Sequence, residues 1–126
     1  MKEFEKWIKK AEGDLYNVEL LLKSENCQTD ICCFHAQQAA EKYLKSYLVR
    51  YNIDFPKTHD LIELMNLCKT KNLQFEQLKP FCLRLKNYAI TTGYPDMFDE
   101  FTGEDAQQAY QNAVIIKGFV LKYFFE

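Results

Sequence analysis

Apolar residues recur at helical spacing along almost the whole chain, and this pattern constrains the fold more than any other feature. Residues 3–23 place an apolar set on one face of a helix, and the same three- and four-residue spacing returns in later segments. No stretch sustains the two-residue alternation of a half-buried strand. Only four glycines and three prolines interrupt the pattern. The sequence therefore predicts an all-α bundle.

Five helices are predicted, and they cover residues 3–23, 30–50, a segment that begins after Thr58, 75–91 and 104–125. Asp30 and Thr58 are expected to be the N-caps of the second and third helices, because their side-chain oxygens can accept free backbone N–H groups. Pro80 must lie in the first turn of the fourth helix or bend it. Thr102 and Asp105 have the spacing of a capping box before the last helix.

Length and composition indicate one domain that spans residues 1–126. The chain is 48% hydrophobic and 15% aromatic, which is enough for a real core. Its net charge of −2 disfavours tight non-specific binding of nucleic acid by the whole surface, but leaves room for a local basic stripe. There is no run of signal-peptide type and no stretch long enough to span a membrane, so a cytoplasmic protein is expected.

The five cysteines show no disulfide framework and are expected to be buried thiols. Cys32 and His35 have the local spacing of half a zinc site. No second Cys/His pair at metal spacing follows them, and a structural zinc ion needs four ligands. No metal and no cofactor are therefore expected.

Residues 31–49, which include the segment "FHAQQAAEKYLKSYL" (34–48), divide into three zones on a helical wheel. The core zone is Cys33, Ala36, Ala40, Tyr43, Leu44 and Tyr47. The opposite zone, a polar stripe, is His35, Gln38, Lys42 and Lys45, which form either a solvated face or an anion-binding one. Gln37 and Glu41 lie on a mixed flank with Phe34, Leu44 and Leu48. That flank suits a helix–helix interface or a buried hydrogen-bond network.

Two further features concern burial. Asp14 lies at the edge of the apolar face of the first helix, so it needs a cationic partner, for which His35 and Lys42 are the types within reach. In the last helix, Ile115, Phe119 and Tyr123 fall outside the inner stripe that includes Tyr110 and Leu121. They are expected to be exposed and to form, with Phe34 and Leu48, the contact surface of a dimer.

Five segments in order resemble the HEPN family (higher eukaryotes and prokaryotes nucleotide-binding domain). They are "AEGDLYNVELLL", "FHAQQAAEKYLKSYL", "PKTHDLIELM", "YAITTGYPD" and "TGEDAQQAYQNAVII". The resemblance implies an up-and-down bundle of four long helices plus a short one, and a homodimer with polar residues near the dimer cleft. Relatives of this kind variously pair with a minimal nucleotidyltransferase as toxin and antitoxin, cleave RNA without a metal, or bind nucleotides.

The chain departs from the ribonuclease branch of that family, in which four to six residues separate an arginine from a histidine. Eight residues separate Arg50 from His59, and Gly93 stands where the family usually has an arginine before Tyr-Pro-Asp. The first hypothesis is therefore a dimeric module that binds a nucleotide, RNA or a nucleotidyltransferase. The alternatives are a ribonuclease toxin that uses His35 and His59 with Lys42 or Lys57 as the cation, and a purely structural helical dimer.

The residues expected to bind a nucleotide or RNA are cations and polar groups that reach a phosphate or a base: His35, Gln38, Lys42, Lys45, Lys57, Tyr94 and Asp96. Two of the histidine assignments have structural alternatives. His59 stands at a helix start, where its ring can bond the local turn, and His35 can bond Asp14.

Overall fold

The computed structural model describes residues 1–86, Tyr88 and 101–125. All the regular secondary structure of these residues is helical. The helices are α1 Glu3–Leu22, α2 Thr29–Arg50, α3 Leu61–Lys69, a 3-10 helix Leu73–Leu78, α4 Lys79–Leu85 and α5 Gly103–Lys122. The predicted all-α fold is confirmed. None of the described helices is long and apolar enough to cross a bilayer.

The second helix, α2, is the central element, because α1, α3 and α5 all pack against it. Thirteen of its 22 residues are buried, and the other nine are half-buried. Three of them are alanines, Ala36, Ala39 and Ala40, whose small side chains let the neighbouring helices approach closely. A helix with neighbours on several sides has little solvated face. The polar stripe predicted on α2 is therefore not solvated along its length, and Lys45 is buried.

The ends of α2 and α3 differ from the predictions. The N-cap of α2 is Gln28, which places Asp30 in the first turn of the helix. The N-cap of α3 is Asp60, whose carboxylate accepts the N–H groups of Ile62 and Glu63. Thr58 accepts the N–H of Asp60 instead, at 3.0 Å. The aspartate thus takes the free N–H groups of the helix, and the threonine hydroxyl stabilises the turn before it.

A Schellman motif ends α2 and directs the chain back across the bundle. Asn52 has a φ of +57°, the left-handed conformation that asparagine tolerates better than most residues. The N–H of Ile53 donates to the carbonyl of Leu48 at 2.9 Å, and that of Asn52 donates to Val49 at 3.2 Å. This turn brings the following loop, with Phe55, against α1.

The predicted fourth helix is two elements within the described residues. The 3-10 helix Leu73–Leu78 comes first, and α4 begins at Lys79 with Pro80 in its first turn. Proline lacks an N–H group, so it fits the start of a helix and not its interior. The rest of the predicted helix, with Ala89, lies outside the described residues, as do Gly93, Tyr94 and Asp96.

The last helix begins with the predicted capping box. The N–H of Asp105 donates to the Thr102 hydroxyl at 3.1 Å, and the N–H of Thr102 donates to the Asp105 carboxylate at 2.8 Å. Leu121, which is predicted to lie on the inner stripe, is exposed. Tyr110 is only half-buried, and its hydroxyl donates to the Glu19 carboxylate.

Most of the apolar residues predicted to form the dimer contact pack against other residues of the same chain. Leu48 is fully buried, and Phe119 and Tyr123 are half-buried. The ring of Phe119 meets that of Phe75 edge-on, with centroids 5.0 Å apart. The expected exposure was wrong because the 3-10 helix covers this side of α5. Ile115 is exposed as expected.

Four of the five cysteines are buried, and Cys27 is half-buried. The Sγ atoms of Cys27 and Cys32 lie 3.5 Å apart and share a hydrogen bond. Burial raises the pKa of Cys32, Cys33 and Cys82 to about 12, so these thiols are protonated at neutral pH. The predicted buried thiols are confirmed for four of the five positions.

Candidate functional site

A first polar cluster joins α1 to α2 around a buried carboxylate. Asp14 is 9% exposed, and its two oxygens lie 3.1 Å from His35 Nδ1 and 2.5 Å from Lys42 Nζ. Two of the four residues of the polar stripe, His35 and Lys42, therefore contact α1. This confirms the prediction that Asp14 pairs with His35 or Lys42, since it pairs with both. Cys32 and His35, which have the spacing of half a zinc site, contact different partners, Cys27 and Asp14.

A second cluster also joins a carboxylate to a lysine and a histidine, and it lies around Glu41, which is only 3% exposed. Its carboxylate lies 3.0 Å from Lys45 Nζ one turn along α2, and 2.8 Å from His59 Nδ1 in the loop before α3. A buried carboxylate without partners is strongly disfavoured, so these two contacts explain how Glu41 is accommodated. The mixed flank of α2 is thus a buried hydrogen-bond network, one of the two predicted outcomes.

The glutamines of α2 hold the backbone of the same loop. Gln37 Nε2 donates to the carbonyl of His59 at 3.0 Å, and Gln38 Nε2 donates to Gln37 Oε1 at 2.8 Å. His59 is therefore anchored twice, through its ring and through its backbone. Its ring bonds Glu41 and not the local turn, so the turn-bonding alternative is wrong.

A cavity of about 380 Å³ opens beside this anchored histidine. We call it the His59 cleft, and its lining residues are Trp7, Lys45, Phe55, Pro56, Lys57, Thr58 and His59. The rings of Trp7 and Phe55 meet edge-to-face, with centroids 6.4 Å apart. Lys45 Nζ lies 5.5 Å from the Trp7 ring and 5.8 Å from the Phe55 ring, within range of cation–π attraction. The cleft thus has aromatic walls and a cation held between them.

A neighbouring cavity of about 270 Å³ shares Trp7 and Phe55 but has the opposite charge, because Glu3 and Asp54 line it. In the His59 cleft, Lys45 and Lys57 contribute +2, and the adjacent Glu41 contributes −1. The local charge is therefore +1 before His59 takes up a proton. An anion is attracted to the His59 cleft and repelled by its neighbour.

The ring of His59 has the geometry of a group that exchanges protons or binds anions. Its side chain is 72% exposed, while the carboxylate that holds Nδ1 is buried. An ionised carboxylate can accept hydrogen bonds but cannot donate them, so the contact with Glu41 fixes a proton on Nδ1 of His59. Nε2 is then left to take a proton from a ligand, or to donate one when the ring is charged.

The predicted ligand-binding residues fall into separate groups. Lys45 and Lys57 line the His59 cleft, and the catalytic candidate His59 lies there with them. His35 and Lys42 belong to the Asp14 cluster, and Gln38 donates a hydrogen bond to Gln37. Tyr94 and Asp96 lie outside the described residues.

Sequence reasoning missed the aromatic walls of the cleft. Trp7 is in phase with the apolar face of α1, a pattern that predicts a core residue, and the position of Phe55 before Pro56 predicts only an extended backbone. The available signal for the cleft was the run "FPKTH", in which an aromatic residue, a proline, a lysine and a histidine lie within five positions. Among the described residues, no group of three His, Cys, Asp or Glu side chains is placed to hold a metal ion.

Comparisons with known proteins agree with this architecture. The family model of the HEPN domain matches residues 4–123. The crystal structure of ST0689, an archaeal HEPN homologue, matches with a TM-score of 0.76 and 25% sequence identity, over 98% of this chain and 99% of that one. A search of curated proteins found no match.

Proposed function

The chain belongs to the HEPN family, and from that premise we propose that it is a dimeric module that binds a nucleotide or RNA in the His59 cleft. The observation that carries the proposal is the cleft itself, where aromatic walls and a net positive charge lie beside a histidine anchored by buried groups. Its volume of about 380 Å³ falls in the usual range for small-ligand sites.

The phosphate and the base of a nucleotide each have a matching group in the cleft. The phosphate is bound by Lys57, and by His59 Nε2 when the ring is charged and Nε2 carries a proton. The base packs against Trp7 and Phe55, because every base presents a π-face and stacking on aromatic side chains is tolerant of sequence. Lys45 contributes a fixed charge from the cleft wall, and Glu41 keeps it in place.

Titration of nucleoside monophosphates and a short single-stranded RNA tests the proposal. Lys57→Ala is expected to weaken binding by about tenfold, because one charge-assisted contact to phosphate is worth on the order of 1.5 kcal/mol. The affinity of the wild type should also fall as salt is added. The matched control is Lys23→Ala, which removes an exposed lysine of the loop between α1 and α2. Equal losses in the two variants, or no binding by the wild type, would contradict the proposal.

The protein partner that we propose is a minimal nucleotidyltransferase, in a pair of toxin–antitoxin type. The support is the family resemblance of the five segments, since relatives of this kind often form such pairs. Co-purification with a nucleotidyltransferase encoded beside the chain tests it, and separate elution of the two proteins at micromolar concentration contradicts it.

A ribonuclease is the second candidate, and the Glu41–His59 contact favours it. In this reaction, His59 Nε2 removes the proton of a 2′-OH, the 2′-oxygen attacks the phosphorus, and the 5′-oxygen leaves with a proton from water. Lys57 stabilises the charge that develops on the phosphate. If this reaction occurs, His59→Ala should abolish RNA degradation. The change also removes one partner of the buried Glu41, so thermal melting of the variant must show that it is folded under the assay conditions. Persistent cleavage by His59→Ala would exclude this mechanism.

A further inference from the structure

A groove of about 710 Å³ lies between the first half of α1 and the end of α5. Its floor is apolar: the rings of Phe4 and Phe124 are in contact, with centroids 5.0 Å apart and planes tilted by 53°, and Ile8 lines the groove with them. At its mouth, Phe125 is 78% exposed and Leu121 is also exposed. Large apolar side chains that face water around a concave surface are typical of a contact site for another molecule.

The edge of the groove carries four exposed charges of alternating sign: Lys2, Glu5, Lys9 and Glu12. Their spacing of three, four and three residues places them on one side of α1, in a single row. The order along the row is positive, negative, positive, negative.

This row of charges is self-complementary when the helix meets its own copy in the antiparallel direction. A two-fold axis at position 7 of α1 brings each residue n opposite residue 14 − n of the copy. Lys2 then faces the partner's Glu12, and Glu5 faces the partner's Lys9. All four contacts in the row join opposite charges. A parallel, in-register pairing would instead place every charge opposite its own sign.

We propose that the groove is the docking surface for a second copy of the chain, with the two α1 helices antiparallel about position 7. This inference rests on the dimer of the proposed function and names the face that forms it. The apolar floor supplies the buried contact, and the charge row sets the direction and register. Tyr16, on the same side of α1 and 60% exposed, extends this face beyond the charge row.

The pairing predicts an exchange of partners between two charge variants. In Lys9→Glu, two symmetry-related attractive contacts become repulsive, and the same is true of Glu5→Lys. Each variant alone is expected to dimerise at least about tenfold more weakly than the wild type at low ionic strength. An equimolar mixture of the two should form a heterodimer of wild-type affinity, because every contact in the row is again between opposite charges.

Sedimentation equilibrium at low salt measures all of these states, against a wild-type dimer of twice the 15.0 kDa chain mass. Lys10→Glu is the matched control, because it makes the same charge change on another side of α1. Glu5 also accepts the N–H of Lys2 in the α1 cap, so thermal melting of each variant checks the fold. The pair Glu12→Lys and Lys2→Glu repeats the exchange without Glu5.

Three results would overturn this docking face: a monomeric wild type, equal weakening by Lys10→Glu, or a mixture that stays as weak as its components. The ligand titration of the His59 cleft is a separate measurement. If the chain dimerises through another face, the exchange fails while nucleotide binding remains. If the cleft binds nothing, the exchange is unaffected.

Discussion

Replacing Glu41 with alanine is expected to lower the free energy of unfolding by about 3–5 kcal/mol. The carboxylate is 3% exposed and is the hydrogen-bonded partner of both Lys45 and His59. Its removal leaves the ammonium group of Lys45 buried without that partner, and the loop that carries His59 loses its ring anchor. Urea-induced unfolding of the two proteins measures the difference.

Two comparisons isolate the cause of that loss. Glu63→Ala removes an exposed glutamate from α3 and should change stability by less than about 0.5 kcal/mol. Glu41→Ala combined with Lys45→Met should recover part of the lost stability, because the unpaired buried charge is then absent. A loss below about 1 kcal/mol for Glu41→Ala would show that the cluster around it contributes little to the fold.

Asp14→Ala is expected to lower the free energy of unfolding by about 2–3 kcal/mol, somewhat less than Glu41→Ala. Asp14 is nearly as buried as Glu41, but its partners His35 and Lys42 are 27% and 21% exposed at their side chains. Water therefore compensates part of the loss when the carboxylate is removed. The melting temperature should fall markedly, and the exposed Asp54 provides the control as Asp54→Ala. An unchanged melting curve for Asp14→Ala would mean that the contacts around Asp14 contribute nothing to stability.

Local pattern was sufficient for the elements of the fold and for one of its two polar clusters. The three- and four-residue spacing of apolar residues is a property of each helix alone, so α1, α2 and α5 could be placed within a few residues. Asp14 could be paired correctly because it interrupts an apolar face, and a buried carboxylate restricts its partners to cations and donors. The capping box at Thr102 also depends only on residues close in sequence.

What the sequence could not predict depends on neighbours that are distant in the chain. A helical wheel assigns Lys45 to the side away from the core, but α2 is packed on several sides, and that side is buried too. The contact between Glu41 and His59 requires the chain to turn at Asn52 and return across the bundle. Phe119 is covered by the 3-10 helix, whose position does not follow from the pattern of α5. The predicted roles of Tyr94 and Asp96 remain predictions.

The emission of Trp7 tests most directly whether a nucleotide or RNA occupies the His59 cleft. Trp7 is the only tryptophan in the chain and forms one wall of the cleft. Adding a nucleoside monophosphate or a short RNA should change its emission in a saturable way. The midpoint should move to higher ligand concentration in Lys57→Ala and on addition of salt, but not in Lys23→Ala. Emission that stays constant while calorimetry records binding would place the ligand elsewhere and contradict the account.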